Sequence, residues 1–334
     1  MIKIKIALFS ENGSCFSKVF TPSVLQKLGE YGELSPRIDK SNIESHKEFF
    51  KDCEIAFATW GMPKFSEEEI KKYMPCLKVI FYSAGTVQYF AKPFLDCGIK
   101  VFSAFSANGV PVAEYTVSQI ILALKGYFQG AKSYKSFLPY SRIHTQNCVG
   151  AYGAKVGLIG LGAIGSEVAE KLKNIDVSVF AYDPFVKEER ARELGVNLCD
   201  LETIFKECDV ISNHLANKKE LKNILDGKLF SLMKPHSTFI NTGRGDQVDE
   251  FALAKKLLCH PSATAVLDVL KNEKAPYFSP LFWCHNAIIT PHIAGSLGNE
   301  TERMADYMIE QFDNYINGKP TKYEITKDML KTMA

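Results

Sequence analysis

The chain has 334 residues, which is enough for two domains with a core each. Its hydrophobic content of 46% and charged content of 23% are ordinary for a globular protein, and a net charge of +2 gives no field that would attract nucleic acid or an anionic membrane surface. Nine cysteines without a Cys-x-x-Cys pair argue against a disulfide framework or a zinc ribbon, so we expect no metal. The first residues lack a signal-peptide pattern, and no run approaches the roughly 20 apolar residues of a membrane span. We therefore expect a cytoplasmic protein.

Short apolar runs alternate with helical segments over the first hundred residues. Strands are predicted at residues 2–9, 53–59, 77–82 and 99–103, and helices at 22–28 and 66–73. Strands that alternate with helices form parallel sheets covered on both faces, so this segment is predicted to be an α/β domain of its own.

Two loops in this segment are candidate ligand sites, because ligands in open α/β sheets bind beyond the carboxyl ends of strands. One loop is Thr59–Pro63. The other contains Ala84 and Gly85, whose small side chains leave backbone amides accessible to a carboxylate. Taken without context, either segment is more often an ordinary loop.

Residues 111–128 have the spacing of a helix, with Pro111 at its start, and we predict that this helix carries the chain into a second domain. The following segment, 129–153, is irregular in sequence and is predicted to be an exposed loop or subunit arm.

A glycine motif follows a buried strand at residues 156–159 and organises the second domain. Gly160 makes the tight turn, Gly162 lets a pyrophosphate approach the backbone, and Gly165 lets helix and strand pack closely. Ala163 and Ile164 lie at the start of the helix, where free amides and the positive end of the dipole favour phosphate.

The next predicted strand, residues 178–183, ends in an acidic residue. Asp183 stands where a carboxylate can accept hydrogen bonds from the adenosine ribose hydroxyls and repel a 2′-phosphate, which favours NAD over NADP. A turn-forming role before Pro184 is also open and is compatible with the first. Four further strands, at 209–215, 238–243, 263–269 and 287–290, complete a predicted six-stranded doubly wound sheet, and a final helix is predicted at 298–317.

Unusual polar residues follow three of these strands. Arg244 lies between two glycines, Asp268 and Glu273 lie at and beyond the end of the next strand, and His292 follows the last one. An Arg to hold an acid, a His to move a proton and a carboxylate to orient the His form a working catalytic set. Taken singly, Arg244 could equally be a solvated loop cation, and a lone His is more often structural.

Five motifs in this order identify a family: GLIGLGAIG (157–165), NTGRG (241–245), LDVLKNE (267–273), SPL (279–281) and TPHIAG (290–295). With them the chain resembles the D-isomer-specific 2-hydroxyacid dehydrogenases over nearly its whole length. The resemblance implies two doubly wound parallel-sheet domains with a cleft between. A flavodoxin-like substrate-binding domain would span 1–112, completed by 299–334, and a Rossmann-type NAD-binding domain would span 113–298.

The resemblance also implies a role for each catalytic candidate. Arg244 would bind the carboxylate and carbonyl of the substrate, His292 would be the acid/base, and Glu273 would be the carboxylate partner of His292.

The same resemblance implies the binding residues. Asp268 would contact the nicotinamide carboxamide, Thr242 and Gly243 would also contact the cofactor, and Ala84 and Gly85 would offer amides to the substrate.

The implied activity is hydride transfer between NAD(H) and C2 of a D-2-hydroxy acid or 2-oxo acid by a homodimer, as in glyoxylate/hydroxypyruvate reductases or D-lactate dehydrogenases. A non-catalytic, NAD-sensing protein of the corepressor type on the same fold is the alternative, and the joint presence of Arg244, Glu273 and His292 favours the enzyme. Formate dehydrogenase is disfavoured because it has Gln where Glu273 stands. The chain departs from the family at His214–Asn217, which leaves the adenine-side wall open, and at Lys274, where the family has Pro.

Overall fold

The structure is a computed structural model that describes residues 4–134 and 148–331. The chain divides into two compact units, one formed by Met1–Gly109 with Ser296–Ala334 and the other by Val110–Gly295. Within the described ranges, no helix is both long enough and apolar enough to cross a membrane.

The first unit is built on a five-stranded parallel sheet with the order β2-β1-β3-β4-β5, which is the flavodoxin-like order. Its strands are β1 (Ile4–Phe9), β2 (Gly32–Ile38), β3 (Ile55–Ala58), β4 (Val79–Tyr82) and β5 (Lys100–Ser103). The sequence did not predict β2 because this edge strand contains Pro36 and lacks a continuous apolar run.

Helices cover this sheet, and the last helix of the chain is one of them. The helices before β5 are α1 (Gly13–Val19), α2 (Pro22–Tyr31), α3 (Lys47–Phe50), α4 (Glu67–Tyr73) and α5 (Ala91–Asp96). The prediction that α2 ends before Gly29 was wrong, since the helix continues to Tyr31. Near the other end of the chain, α13 (Glu300–Ile316) buries Phe312 against Phe57 and Phe81, with ring centroids 5.5 and 5.6 Å apart. Aromatic packing thereby makes α13 part of the core of the first unit.

The helix that was predicted to begin at Pro111 begins earlier. As observed, α6 (Phe105–Leu124) contains Pro111 in its second turn. A proline there removes one backbone hydrogen bond, and its neighbours Ala107 and Ala113 are fully buried. The next helix, α7 (Tyr127–Tyr134), shows that the loop predicted from residue 129 was wrong as far as residue 134, whereas 135–147 lie outside the described residues.

The second unit contains a seven-stranded parallel sheet with the order β12-β11-β10-β9-β6-β7-β8. Its strands are β6 (Ala154–Ile159), β7 (Val177–Tyr182), β8 (Asn197–Leu198), β9 (Val210–Asn213), β10 (Thr238–Asn241), β11 (Thr264–Leu267) and β12 (Ala287–Ile289). The sequence predicted six strands and missed β8, because a strand of two residues is too short to show an alternation of apolar and polar side chains. Strand order reverses at β6, so the loop after this strand lies at the switch point where α/β sheets bind ligands.

Five helices follow β6 in the second unit, and an aspartate caps the start of three of them. They are α8 (Ala163–Leu172), α9 (Glu188–Leu194), α10 (Leu201–Glu207), α11 (Gly227–Leu232) and α12 (Glu250–Cys259). The carboxylates of Asp200, Asp226 and Asp249 each accept a hydrogen bond from a backbone amide in the first turn of α10, α11 and α12.

Candidate active site

The glycine loop after β6 has the close contacts that only glycine permits. Gly160 has a φ of +93°, and a Cβ there would lie 2.9 Å from the carbonyl oxygen of His214. A Cβ at Gly165 would overlap the carbonyl of Gly160, which is how α8 packs so close to the end of β6. A Cβ at Gly162, by contrast, would meet open space. The loop is therefore tight on its protein side and open on the side where a pyrophosphate would approach.

Helix α8 begins without a side-chain cap. Among the described residues, the amides of Gly162, Ala163 and Ile164 donate to no acceptor, while the amide of Leu161 donates to Asp183 Oδ2 at 2.8 Å. Free amides at the positive end of a ten-residue helix form a phosphate-binding arrangement. These free amides can therefore bind the phosphates of a dinucleotide.

Asp183 follows the end of β7 and fixes the local backbone. Besides its bond to Leu161, its Oδ1 accepts a hydrogen bond from the amide of Phe185 at 2.9 Å. The turn-forming interpretation of Asp183 is therefore part of its role. Each carboxylate oxygen accepts one of these bonds and retains a second lone pair, so ribose hydroxyls can still donate to it.

A buried network of side-chain amides holds the loop after β10. Asn213 Nδ2 donates to Asn241 Oδ1 at 3.0 Å and to Gln247 Oε1 at 2.7 Å, and the amide of Gly243 donates to Asn241 Oδ1 at 3.0 Å. Thr242 is also buried, with its hydroxyl 3.3 Å from that of Thr116. Satisfied buried amides rigidify a loop, so Thr242 and Gly243 have a fixed backbone.

Arg244 follows this network directly. Asn241 Nδ2 donates to the carbonyl of Arg244 at 3.2 Å, and a guanidinium nitrogen of Arg244 donates to the carbonyl of Gly243 at 2.8 Å. Burial lowers the pKa of the Arg244 guanidinium, and the charge of Glu273 acts in the opposite direction. Among the described residues, only the carbonyl of Gly243 accepts a hydrogen bond from the guanidinium, which has five N–H groups in all.

Asp268 anchors the loop that carries His292. Its side chain is only 2% exposed, and it accepts hydrogen bonds from the hydroxyl of Thr290 at 2.6 Å and from the amides of Ile293 and Ala294 at 2.8 and 2.9 Å. The hydroxyl of Thr290 in turn lies 3.2 Å from that of Tyr115. Three bonds to one buried carboxylate set the course of residues 290–294.

His292 has a left-handed backbone, with a φ of +56°, which is uncommon for a residue other than glycine. Its amide donates to the carbonyl of Asp268 at 3.1 Å, and its Nδ1 lies 2.9 Å from Glu273 Oε2. Both side chains remain about half exposed, at 51% for His292 and 43% for Glu273. Because a carboxylate only accepts hydrogen bonds, Nδ1 carries a proton and Nε2 is left for other chemistry.

The loop after β4 belongs to the first unit. The hydroxyl of Ser103 donates to the carbonyls of Ala84 and Gly85 at 3.0 and 2.6 Å, whereas in the described part of the chain the amides of these two residues donate to no acceptor. The role of Ala84 and Gly85 in binding a substrate carboxylate stays a prediction.

The second unit brings Arg244, Glu273 and His292 together with the anchoring carboxylate of Asp268. Three supporting residues were not predicted from the sequence: Gln247, Ser103 and Tyr115. They act through hydrogen bonds to residues far away in the chain, and no local pattern marks such bonds.

Comparison with known proteins identifies the family. Residues 117–294 match the family model described as D-isomer specific 2-hydroxyacid dehydrogenase, NAD binding domain. The chain belongs to this family, and NAD is the cofactor that its second unit binds.

Individual relatives agree with this assignment. The chain is 33% identical to a D-3-phosphoglycerate dehydrogenase of Archaeoglobus fulgidus, over 67% of this chain and 42% of that protein. It is 32% identical to an (S)-sulfolactate dehydrogenase of Chromohalobacter salexigens, over 63% of this chain and 68% of that protein. The chain spans about half the length of the phosphoglycerate dehydrogenases that it matches. A phosphoglycerate oxidoreductase from Rhizobium etli has the same fold, with a TM-score of 0.80 at 21% identity over 97% of this chain and 99% of the other.

Proposed function

We propose that this protein is an NAD-dependent D-2-hydroxyacid dehydrogenase that interconverts a 2-oxo acid and the corresponding D-2-hydroxy acid. The observation that carries the proposal is the hydrogen bond of 2.9 Å between His292 Nδ1 and Glu273 Oε2, on a loop anchored by Asp268. NAD(H) supplies the hydride acceptor or donor for C2 of the substrate.

His292 is the proton donor and acceptor in this proposal. Its Nδ1–H is bound to Glu273, so its Nε2 is the nitrogen that exchanges a proton with the substrate oxygen. In the reducing direction, the Nε2–H of the imidazolium donates to the carbonyl oxygen as C2 gains hydride. In the oxidising direction, neutral Nε2 accepts the hydroxyl proton. Glu273 supports both directions because it fixes the ring and stabilises its positive charge.

Arg244 binds the carboxylate of the substrate and polarises its carbonyl. A guanidinium suits this task because its planar N–H groups match two oxygens at once. We also propose, from the family resemblance, that Ala84 and Gly85 offer their backbone amides to the substrate; in the described residues these amides donate to no acceptor. Neither role requires a metal, since the developing charge on the oxygen is met by Arg244 and by the proton from His292.

The relatives described above are named for different acids, so the proposal is tested with several 2-oxo acids. None of those relatives favours the alternative of an NAD-sensing protein without catalysis. A homodimeric assembly and a cytoplasmic location stay predictions, and light scattering of the purified chain would test the first.

The proposal is tested by following NADH absorbance with glyoxylate, hydroxypyruvate, pyruvate, phenylpyruvate and 2-oxoisocaproate. A matched variant, His292→Asn, removes the imidazole and keeps a residue that tolerates a left-handed backbone. We expect turnover on at least one acid and a 10²- to 10⁴-fold loss, roughly, in the variant. His236→Asn, at an exposed histidine elsewhere in the second unit, is the control. No turnover on any acid, or an unimpaired His292→Asn enzyme, contradicts the proposal.

A further inference from the structure

A cavity of about 490 Å³ lies within the first unit, at the carboxyl end of its sheet. Trp60 is one of its lining residues, and Thr86, another, follows Ala84 and Gly85 directly in the chain. The remaining lining residues are Glu11, Lys40, Gly61, Met62, Lys64, Tyr82 and Tyr89. This volume is far more than a methyl or hydroxymethyl group needs.

Two tyrosines that line the cavity, Tyr82 and Tyr89, share a hydrogen bond that uses only one of their two hydroxyl protons. The hydroxyl oxygens of Tyr82 and Tyr89 are 3.2 Å apart, and the amide of Met62 donates to the oxygen of Tyr89 at 3.1 Å. Tyr82 is 1% exposed, so its buried O–H must donate to Tyr89, since a buried donor without an acceptor is costly. Tyr89 is 37% exposed and accepts both bonds. Its own hydroxyl proton is therefore available to a ligand in the cavity.

Two lysines and one glutamate are the charged residues that line the cavity. Lys64 Nζ lies 5.9 Å from the centre of the Tyr89 ring, and no carboxylate of the described residues forms an ion pair with it. Lys40 is already paired with Glu69 at 3.1 Å. Glu11, which is exposed, is the one carboxylate among the lining residues. Lys64 and Tyr89 together form a donor pair suited to an anionic group.

Burial raises the pKa of Tyr82 and Tyr89 above the ordinary tyrosine value. Both phenols therefore keep their protons at neutral pH, and Tyr89 remains a donor.

We propose that this cavity binds the far end of the substrate chain, and that this end carries a second anionic group held by Lys64 and Tyr89. The inference rests on the proposed function, because it takes the first carboxylate of the 2-oxo acid to lie on the amides of Ala84 and Gly85. The substrate class is then a 2-oxo acid with several carbons and a terminal anion, such as a 2-oxo dicarboxylate.

The test uses two acids of equal length that differ only at the far end. 2-Oxoadipate has a terminal carboxylate, and 2-oxohexanoate has a terminal methyl group in its place. We expect kcat/KM to be at least tenfold higher for 2-oxoadipate. Isothermal titration calorimetry with the same two acids measures the preference without turnover, so binding and catalysis are read separately.

Three variants assign the preference to particular groups. Lys64→Met and Tyr89→Phe should each lower the ratio of 2-oxoadipate to 2-oxohexanoate about fivefold, which is about 1 kcal/mol, because Lys64 is exposed and water screens part of its charge. Glu11→Gln should raise the ratio, since it removes a repelling charge. Lys71→Met, which removes an exposed lysine on α4, is the matched control and should leave the ratio unchanged.

The outcomes separate the two proposals. An equal or inverted preference for 2-oxohexanoate in both assays overturns the inference about the cavity, and so does an unchanged ratio in Lys64→Met. A binding preference for 2-oxoadipate without turnover on any acid leaves the cavity assignment supported and overturns the proposed catalysis. The ratio in Tyr89→Phe is a second, independent test, because this variant keeps Lys64 and the fold intact.

Discussion

Asp268 permits a direct test of how the catalytic loop is held. The carboxylate is buried and accepts three hydrogen bonds, from Thr290, Ile293 and Ala294. Asp268→Asn keeps the shape of the side chain but replaces one carboxylate oxygen by an NH2 group. This group cannot accept a hydrogen bond, so two donors then face each other. The variant loses one charge-assisted bond, worth about 1.5–3 kcal/mol, and weakens the other two. The left-handed backbone of His292, which costs about 1–3 kcal/mol, is then held less firmly.

We expect Asp268→Asn to lower the free energy of unfolding of the second unit by about 2–4 kcal/mol. For a domain of this size the Tm falls by roughly 4–16 °C, at about 2–4 °C per kcal/mol. Turnover should fall at least tenfold because the imidazole of His292 loses its fixed position. Calorimetry and NADH kinetics measure the two effects, with Asp246→Asn, at an exposed acid, as the control.

A purely cofactor-binding role for Asp268 gives another pattern. NADH binding would weaken while the Tm of the free protein stayed within about 1 °C of the wild type, and that result would refute the loop-anchoring argument.

Three further outcomes are expected. Arg244→Lys should lose most activity while NADH binding survives, since Lys cannot make a two-pronged contact with a carboxylate; near-normal kcat/KM would remove Arg244 from the site. The wild type should use NADH far better than NADPH, and Asp183→Ala should narrow the difference, so a wild-type preference for NADPH in the same kinetics would contradict the ribose assignment. Burial lowers the pKa of His214 to about 4 from 6.5, so the unfolded chain binds a proton that the folded state resists. The free energy of unfolding should therefore lose up to roughly 3 kcal/mol as pH falls from about 6.5 to about 4 and be unaffected above that window. His214→Gln should remove this part of the pH dependence, and identical urea-unfolding profiles for the two proteins would count against it.

The sequence predicted the parts of the fold that depend on local pattern. Apolar runs at β3, β4 and β10 showed buried parallel strands, and the spacing of Gly160, Gly162 and Gly165 located the switch point of the second sheet. The short strand β8 and the edge strand β2 were missed, because neither buries a continuous apolar face.

Candidate site residues could be named from the sequence, but the way they are held could not. Nothing near Asp268 in the sequence shows that its carboxylate ties down residues 22 to 26 positions further on. The same is true of Ser103, which reaches 18 and 19 positions back to Gly85 and Ala84. Such bonds are set when strand ends converge at one edge of a sheet, so only the folded chain reveals them.

The position of α13 in the chain matters for how the protein is made. Phe312 completes an aromatic cluster with Phe57 and Phe81, yet the whole second unit is synthesised between them. At about 5–20 residues per second, a ribosome needs roughly 12 to 46 s for the 230 residues between Phe81 and Phe312. During that interval one apolar face of the first sheet lacks α13, the helix that covers it in the folded protein. The aromatic cluster of the first unit is complete only after Phe312 has emerged.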